Sequence, residues 1–191
     1  MTKTVKIGNR IIGGGNPILI QSMTNTKTEN VEATAAQINQ LTAAGCDIIR
    51  CAVPTMDAAK ALKEIKKQVQ IPVVADIHFD YRLAIAAMEN GADKIRINPG
   101  NIGGLEATVP VLQAAKAAGI PIRIGVNAGS LDSALAERSD LTLPEKLVES
   151  ATAYVEFCHG QGFYDVVVSA KAHDVPTTVA TYRLLSQRMP E

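Results

Sequence analysis

Short apolar stretches rich in Val and Ile alternate along the chain with longer stretches rich in Ala, Leu, Glu and Lys. The alternation occurs six times and is typical of βα units that build a parallel sheet. A ribbon over residues 5–12, with a turn at Gly8 and Asn9, precedes the first unit. The predicted strands cover residues 18–21, 47–53, 73–78, 94–98, 121–127 and 165–171. The predicted helices cover residues 30–44, 56–69, 81–90, 109–118, 144–161 and 175–188.

The strands carry polar residues on one face only, and this pattern separates two architectures. Residues 94–98 place Lys94, Arg96 and Asn98 on one face and two isoleucines on the other, because side chains alternate along a strand. A strand of a doubly wound sheet is apolar on both faces, whereas a barrel strand can carry polar side chains inward near its C-terminal end. The pattern therefore predicts an α/β fold of the TIM-type (β/α)₈ barrel class.

The predicted barrel is shorter than a complete one. About 250 residues and eight strands are typical of the fold, whereas this chain has 191 residues and six predicted strands. We expect a single incomplete TIM-barrel domain over residues 1–191, cut after six βα units. Its first and last strands would each lack a neighbour. Unpaired strand edges attract other chains, so we expect self-association into a homo-oligomer through the gap, or low stability with mobile strands beside it.

Composition and charge argue against two classes of binding partner, nucleic acids and membranes. The 19 Lys and Arg residues balance 19 Asp and Glu residues, which gives a formal net charge of +0 and a pI near 6.8. General nucleic-acid and anionic-membrane binders use excess positive charge, which is lacking here. No apolar run approaches the roughly 20 residues that span a bilayer, and the start of the chain lacks the apolar core of a signal peptide. We therefore expect a cytoplasmic protein with no membrane or nucleic-acid partner.

The three cysteines, Cys46, Cys51 and Cys158, form no Cys-x-x-Cys pair and lie at no zinc-ligand spacing. Scattered free cysteines of this kind are typical of reduced structural residues, because the thiol packs as a small hydrophobe. We expect no metal site in this chain.

Period-two alternation predicts a basic cluster at the mouth of the barrel. Its cations are Arg50, Arg96, Arg123 and Lys171, and the residues expected between them are Asp76, His78, Asn98, Asn127 and Ser169. At separations of ~4–6 Å and an effective dielectric constant of about 20, each like-charge contact costs on the order of a few kcal/mol, so an empty cluster is unfavourable. The planar guanidinium group fits phosphate oxygens bidentately. A small ligand with more than one phosphate, such as a diphosphate, would satisfy the cluster.

Other interpretations of the same residues stay open. The charged groups could form a structural ion-pair layer in which Asp76 binds an arginine. Asp76 and His78 could also act as an acid–base pair or as ligands of a divalent metal, although a spacing of two residues alone is a weak signal. The glycine-rich segment 98–104 could turn backbone N–H groups towards a phosphate, although such loops also occur for geometric reasons.

Five longer strings make the sequence resemble a known family. They are IQSMTNT (residues 20–26), VPTMDAA (53–59), VADIHFDYR (74–82), KIRINPGNIG (94–103) and PIRIGVNAGSL (121–131). In this order they closely resemble hydroxymethylbutenyl diphosphate synthase of the methylerythritol phosphate pathway of isoprenoid biosynthesis. The resemblance covers residues 5–185, and strings of this length are far more specific than a short motif.

The resemblance implies an oxidoreductase that opens the ring of 2-C-methyl-D-erythritol 2,4-cyclodiphosphate reductively, with loss of a hydroxyl group, to give 4-hydroxy-3-methylbut-2-enyl diphosphate. It also implies that electrons come from ferredoxin or flavodoxin through a 4Fe–4S cluster. The barrel is the family's substrate-binding half. The diphosphate-binding basic residues correspond to Arg50, Arg96, Arg123 and Lys171, and the supporting contacts correspond to Asp76, His78, Asn98, Asn127 and Ser169.

The sequence departs from the family in two ways. Family members continue into the last barrel strands and a C-terminal domain, whose three cysteines and one glutamate hold the cluster, and the 191 residues include none of this region. We therefore expect this chain alone to bind no cluster and to be inactive without the missing half. In addition, His173 stands where the family usually has a small residue. It could alter the rim of the pocket or point to solvent.

Three functions follow from these observations. The first is the substrate-binding barrel of the synthase, in a shortened gene product. The second is a non-catalytic module that binds phosphorylated ligands. The third is a different barrel enzyme, independent of a cluster, that uses Asp76 or His78 as a general base on a phosphorylated or pterin substrate.

Overall fold

Residues 2–189 are described in a computed structural model, which contains all six predicted βα units. An antiparallel ribbon is formed by β1 (Val5–Ile7) and β2 (Arg10–Ile12). The parallel sheet pairs, in chain order, β3 (Gln21–Met23), β4 (Ile48–Ala52), β5 (Val73–Asp76), β6 (Lys94–Ile97), β7 (Ile122–Asn127) and β8 (Val166–Lys171). The helices are α1 (Val31–Ala43), α2 (Met56–Lys66), α3 (Tyr81–Glu89), α4 (Gly104–Ala118), α5 (Ser133–Ala136), α6 (Leu143–Gly160) and α7 (Val175–Arg188). The predicted TIM-type α/β architecture with an N-terminal ribbon is confirmed, as six parallel strands curled into part of a barrel.

The first strand of the parallel sheet begins later than the sequence predicts. The prediction covers residues 18–21, but β3 begins at Gln21, which pairs with Ile48 of β4. Ile18 is 97% exposed and Ile20 is 62% exposed, so these apolar side chains do not enter the core. The backbone N–H of Ile20 instead donates to the Asp47 carboxylate at 2.9 Å. The prediction was wrong here because apolar residues usually mark a buried strand, and these lie on an uncovered surface.

Helix α4 begins at Gly104, whereas the prediction begins at residue 109. Pro110 favours the later start because proline lacks the backbone N–H of a helix interior, but it lies inside the helix. Gly103 and Gly104 have φ angles of 102° and 82°, a left-handed turn that leads the loop directly into the helix. The short helix α5 and a 3₁₀ turn over Ala128–Ser130 were not predicted, since neither is long enough to show a hydrophobic period.

The interior of the barrel has an apolar floor and a polar mouth. Val5 and Ile7 of the ribbon pack with Ile48 of β4 and Val74 of β5 in a small buried cluster, which fills the N-terminal end of the barrel. The larger apolar core lies between the outer face of the sheet and the helices. Because the ribbon covers the N-terminal end, the polar inward side chains are reached from the carboxyl ends of the strands, where barrel enzymes bind their substrates.

The two edges of the sheet are uncovered in the described part of the chain. Within residues 2–189, β3 pairs only with β4 and β8 pairs only with β7. Large apolar side chains are exposed beside both edges: Ile18 and Ile20 precede β3, and Val175 and Val179 lie on α7. Helices long and apolar enough to cross a membrane are absent from residues 2–189.

Candidate functional site

A cleft of about 760 Å³ opens at the carboxyl ends of the strands. All of the predicted site residues except Asn98 line it, namely Arg50, Asp76, His78, Arg96, Arg123, Asn127, Ser169 and Lys171. Strands β4 to β8 each contribute at least one of these residues or lead directly into one. The chain therefore brings together, in one cleft, side chains that are separated by more than a hundred positions in the sequence.

Asp76 is the centre of the charged network. Its side chain is 3% exposed, and its Oδ2 atom lies 3.3 Å from Nε of Arg50. Its Oδ1 atom accepts a hydrogen bond from Nη1 of Arg96 at 3.2 Å. Nε2 of His78 is 3.7 Å from Oδ2. The ion pairs agree with the structural interpretation for Asp76 itself, and they hold the two guanidinium groups in place inside the cleft.

The positive charge exceeds what Asp76 can balance. The Nε atom of Arg123 is buried and has no hydrogen-bond partner among the described residues. Burial, together with the neighbouring Arg50 and Arg96, lowers the pKa of Arg123. Lys171 lies at the exposed end of β8 and forms no ion pair with any residue in 2–189. One buried carboxylate thus faces four cations, an arrangement that favours a bound anion.

Gly125 of β7 makes room for Arg96. A methyl group at position 125 would lie 2.8 Å from both Nε and Nη2 of Arg96, which is closer than real contacts of this kind. The guanidinium group therefore lies directly over the backbone of the neighbouring strand. The sequence places Gly125 on the polar inward face, but the close approach is visible only in the structure.

Asn98 is the one predicted site residue that does not line the cleft. Asn98 is 2% exposed. Its amide N–H donates to Oγ of Ser130 at 2.8 Å, and its Oδ1 accepts from the N–H of Gly100 at 3.2 Å. It follows the last residue of β6, where the chain turns away, so the strand alternation no longer sets its direction. Asn98 holds two loops at the rim together, and Ser130 lines the cleft in its place.

Further lining residues were missed, among them Met23, Asn101 and Tyr182. Nε and Nη2 of Arg50 donate to Sδ of Met23 at 3.2 and 3.0 Å. The hydroxyl group of Tyr182 on α7 accepts from the N–H of Ala170 at 3.2 Å, beside Lys171. Asn101 also lines the cleft. Met23 and Asn101 both carried a signal, since they lie within the family strings over residues 20–26 and 94–103, whereas Tyr182 lies in none of the five strings.

The glycine-rich segment after β6 uses three of its N–H groups within the segment. Gly100 N–H donates to the Asn98 side chain, Asn101 N–H to the Asn98 carbonyl at 2.9 Å, and Gly104 N–H to the Pro99 carbonyl at 2.9 Å. These donors are therefore not free for a phosphate. His173 lines the cleft and is also exposed to solvent, so both alternatives for this residue stay open.

The cysteines lie apart from the cleft and are buried. Burial raises the pKa of Cys51 to about 11 and that of Cys158 to about 11, so both are protonated thiols near neutral pH. Within residues 2–189 there is no group of three or more His, Cys, Asp or Glu side chains arranged to hold a metal ion. The described residues therefore do not provide the thiolate ligands that an iron–sulfur cluster needs.

Two known proteins that resemble this chain in sequence carry the same name. The chain is 57% identical, over 189 residues, to the 4-hydroxy-3-methylbut-2-en-1-yl diphosphate synthase (flavodoxin) of Caldanaerobacter subterraneus subsp. tengcongensis, an alignment that covers 99% of this chain and 53% of the relative. It is 52% identical, over 187 residues, to the protein of the same name from Clostridium perfringens, with 98% of this chain and 54% of the relative covered. The chain spans about half the length of the curated relatives it matches.

Solved structures with the same fold are much more distant in sequence. The dihydropteroate synthase of Yersinia pestis aligns with a TM-score of 0.66 at 12% identity, over 96% of this chain and 69% of that chain. The phospho-2-dehydro-3-deoxyheptonate aldolase of Thermotoga maritima aligns with a TM-score of 0.65 at 14% identity, over 99% of this chain and 53% of that chain. These likenesses show the fold alone. The profile of the GcpE TIM-barrel domain, in contrast, matches residues 2–191, and the chain therefore belongs to the GcpE family.

Proposed function

We propose that this chain is the substrate-binding barrel of a 4-hydroxy-3-methylbut-2-enyl diphosphate synthase and that its cleft binds the diphosphate group of 2-C-methyl-D-erythritol 2,4-cyclodiphosphate. The relatives named above carry the synthase name, which supports the reaction class. In this proposal the complete protein is an oxidoreductase of isoprenoid biosynthesis. Residues 1–191 supply one incomplete barrel domain, and they contribute binding rather than electron transfer.

The observation that carries the proposal is the excess of cations in the cleft. Arg50 and Arg96 share the Asp76 carboxylate, whereas neither Arg123 nor Lys171 forms an ion pair with a residue in 2–189. At an effective dielectric constant of about 20, two like charges ~5 Å apart repel by roughly 3 kcal/mol. A cyclic diphosphate carries two negative phosphoryl groups, so it would replace this repulsion by attraction.

The arrangement also suggests how the ligand would be held. Asp76 fixes two guanidinium groups before a ligand arrives, so little side-chain entropy is lost on binding. The unpaired Nε–H of Arg123 offers a hydrogen-bond donor from the floor. Ser169 and Lys171 of β8 lie opposite Gly125 and Asn127 of β7, which places short polar donors beside the cations.

Electron transfer would depend on groups outside residues 2–189. When bound, a 4Fe–4S cluster supplies the electrons for the reductive step, but the buried thiols Cys46, Cys51 and Cys158 do not fit it. The relatives' names mention flavodoxin, which we propose as the electron donor of the complete protein, with ferredoxin as the alternative. The uncovered edges of β3 and β8 are proposed contact surfaces, for further barrel strands or for a second copy of the chain.

The test is binding of inorganic diphosphate by the isolated chain, measured by titration calorimetry at low ionic strength. We expect binding that weakens as salt is added, and a loss of about 10- to 100-fold in Arg123→Gln, the usual effect of losing a charge-assisted hydrogen bond of roughly 1.5–3 kcal/mol. Arg10→Gln is the matched control, because Arg10 lies on the ribbon and pairs with Asp47. No heat with diphosphate at low salt would overturn the proposal.

A further inference from the structure

Lys94 is a buried cation that the cleft does not expose. It is the first residue of β6, two positions before Arg96 and on the same inward face. Its exposed fraction is 2%, and it is not among the residues that line the cleft. In the sheet register Arg50 of β4 lies opposite Val74 of β5, and Val74 lies opposite Lys94. Lys94 therefore lies level with Val74 and Arg50 in the register, and two residues nearer the N-terminal end of its strand than Arg96.

The surroundings of Lys94 offer it no negative partner. Its ammonium group makes no hydrogen bond or ion pair with any residue between 2 and 189. Arg123 on β7 and Arg50 on β4 act on it, and both are positive. The only buried carboxylate nearby in the register, Asp76 on β5, is bound by Arg50 and Arg96. On the floor side, β1 contributes the aliphatic residues of the small cluster and β8 contributes Val167, none of which titrates.

This environment lowers the affinity of Lys94 for its proton. Burial, followed by the charges of Arg123 and Arg50, lowers the pKa of Lys94 from its ordinary value of 10.5 to about 8. In the empty protein about half of the Lys94 side chains would thus be neutral at about pH 8. An anion bound in the cleft would offset the positive charge of the neighbouring arginines, which repels a proton on Lys94. The same anion would attract the ammonium group of Lys94 directly.

We propose that Lys94 is the buried counter-charge of the anion site, and that a phosphorylated ligand in the cleft recruits a proton from solvent onto its Nζ atom. Ligand binding and proton binding are then two linked events, each of which strengthens the other. No covalent bond changes in this step: water or buffer gives up one proton, and Lys94 gains it. The proposal rests on the proposed function, because it needs an anion in the cleft.

The linkage predicts a pH dependence of affinity with a definite sign. Below about pH 7, Lys94 is already almost fully charged, so binding takes up almost no proton at this site. At about pH 9 only a tenth of the empty protein carries this proton, so the apparent affinity falls by about tenfold relative to neutral pH. The ligand itself also titrates in this range, so the effect must be measured as a difference between two proteins that bind the same ligand.

The experiment compares the wild-type chain with Lys94→Met, which keeps a similar volume and removes the titratable group. Inorganic diphosphate is titrated into both proteins by calorimetry at low ionic strength, from about pH 7 to about pH 9. We expect weaker binding by Lys94→Met at neutral pH, and a wild-type affinity that falls about tenfold more steeply than that of the variant. Lys60→Met on the exposed side of α2 should follow the wild-type profile. Parallel pH profiles of wild type and Lys94→Met would overturn the proposal.

A ligand-free measurement separates the two possible failures. Because the unfolded chain holds the Lys94 proton up to about pH 10 and the folded chain releases it near pH 8, the stability of the wild type relative to Lys94→Met should rise between these values. If this rise is seen but neither protein binds diphosphate, the proposed function is wrong. The proposed linkage between ligand binding and proton binding is then wrong as well. If diphosphate binds with equal pH profiles, only the role of Lys94 is wrong. Lys94→Gln repeats both measurements should Lys94→Met fold poorly.

Discussion

The variant Gly125→Ala should weaken ligand binding in the cleft and leave the barrel folded. Gly125 has no positive φ, so alanine can adopt its backbone conformation. The new methyl group, however, would lie 2.8 Å from Nε and Nη2 and 3.2 Å from Cζ of Arg96. To restore an ordinary contact of about 3.4 Å or more, the guanidinium group must retreat by roughly 0.6 Å.

That retreat is large enough to matter for binding. The bond from Nη1 of Arg96 to Oδ1 of Asp76 is already 3.2 Å long, at the upper end of a good hydrogen bond. Moving Arg96 loosens this bond and takes the guanidinium group away from the ligand. A charge-assisted hydrogen bond contributes roughly 1.5–3 kcal/mol, so we expect diphosphate affinity to fall by about 10- to 100-fold.

Stability should change much less than affinity. Alanine restricts the unfolded chain and stabilises the fold by about 0.4–1 kcal/mol, which offsets part of the weakened ion pair. We expect the free energy of unfolding, measured in urea, to shift by less than about 1 kcal/mol. Gly160→Ala is the matched control, because a methyl group there meets no atom within 4 Å, and it should leave diphosphate affinity unchanged.

A double-mutant cycle tests whether Gly125→Ala lowers diphosphate affinity by displacing Arg96. Diphosphate affinity is measured by calorimetry for Gly125→Ala, Arg96→Ala and the pair. If the methyl group acts by displacing Arg96, adding Gly125→Ala to Arg96→Ala should cost little further affinity. A second loss of about tenfold or more in the Arg96→Ala background would refute this reasoning, and so would an unchanged affinity in Gly125→Ala alone.

Three further predictions address the remaining parts of the molecule. Arg96→Ala should weaken diphosphate binding by about 10- to 100-fold, and wild-type binding should weaken as ionic strength rises; an unchanged affinity in calorimetry would remove Arg96 from the site. Anaerobic reconstitution with iron and sulfide should leave the chain without a stoichiometric cluster, because the thiols of Cys51 and Cys158 are protonated and the three buried cysteines lie on separate elements; a broad visible absorption band at about one cluster per chain would contradict this. Ile20→Lys at the uncovered edge should reduce self-association in sedimentation velocity, because a charge beside β3 disfavours edge pairing, and equal sedimentation of variant and wild type would exclude this edge as the contact.

Most of the fold was predictable because it depends on local patterns. The alternation of β-branched runs with helical stretches places every strand except the first within a few residues of its observed bounds. The failures lie where local pattern and tertiary environment disagree. Ile18 and Ile20 look like a buried strand but are exposed in the described part of the chain, and Pro110 looks like a helix boundary but is tolerated inside α4.

The sequence by itself determined which face of each strand is polar, because side-chain direction alternates with a period of two whatever the strand packs against. That rule was enough to select Arg50, Asp76, Arg96 and Arg123. Only the tertiary structure decided how deeply each polar side chain is buried and which atoms it contacts. Both depend on how neighbouring strands are staggered and on where the chain turns away after each strand. The register places Lys94 in the layer below Arg96, although both lie on the same face. The turn after β6 directs Asn98 to Ser130 rather than into the cleft.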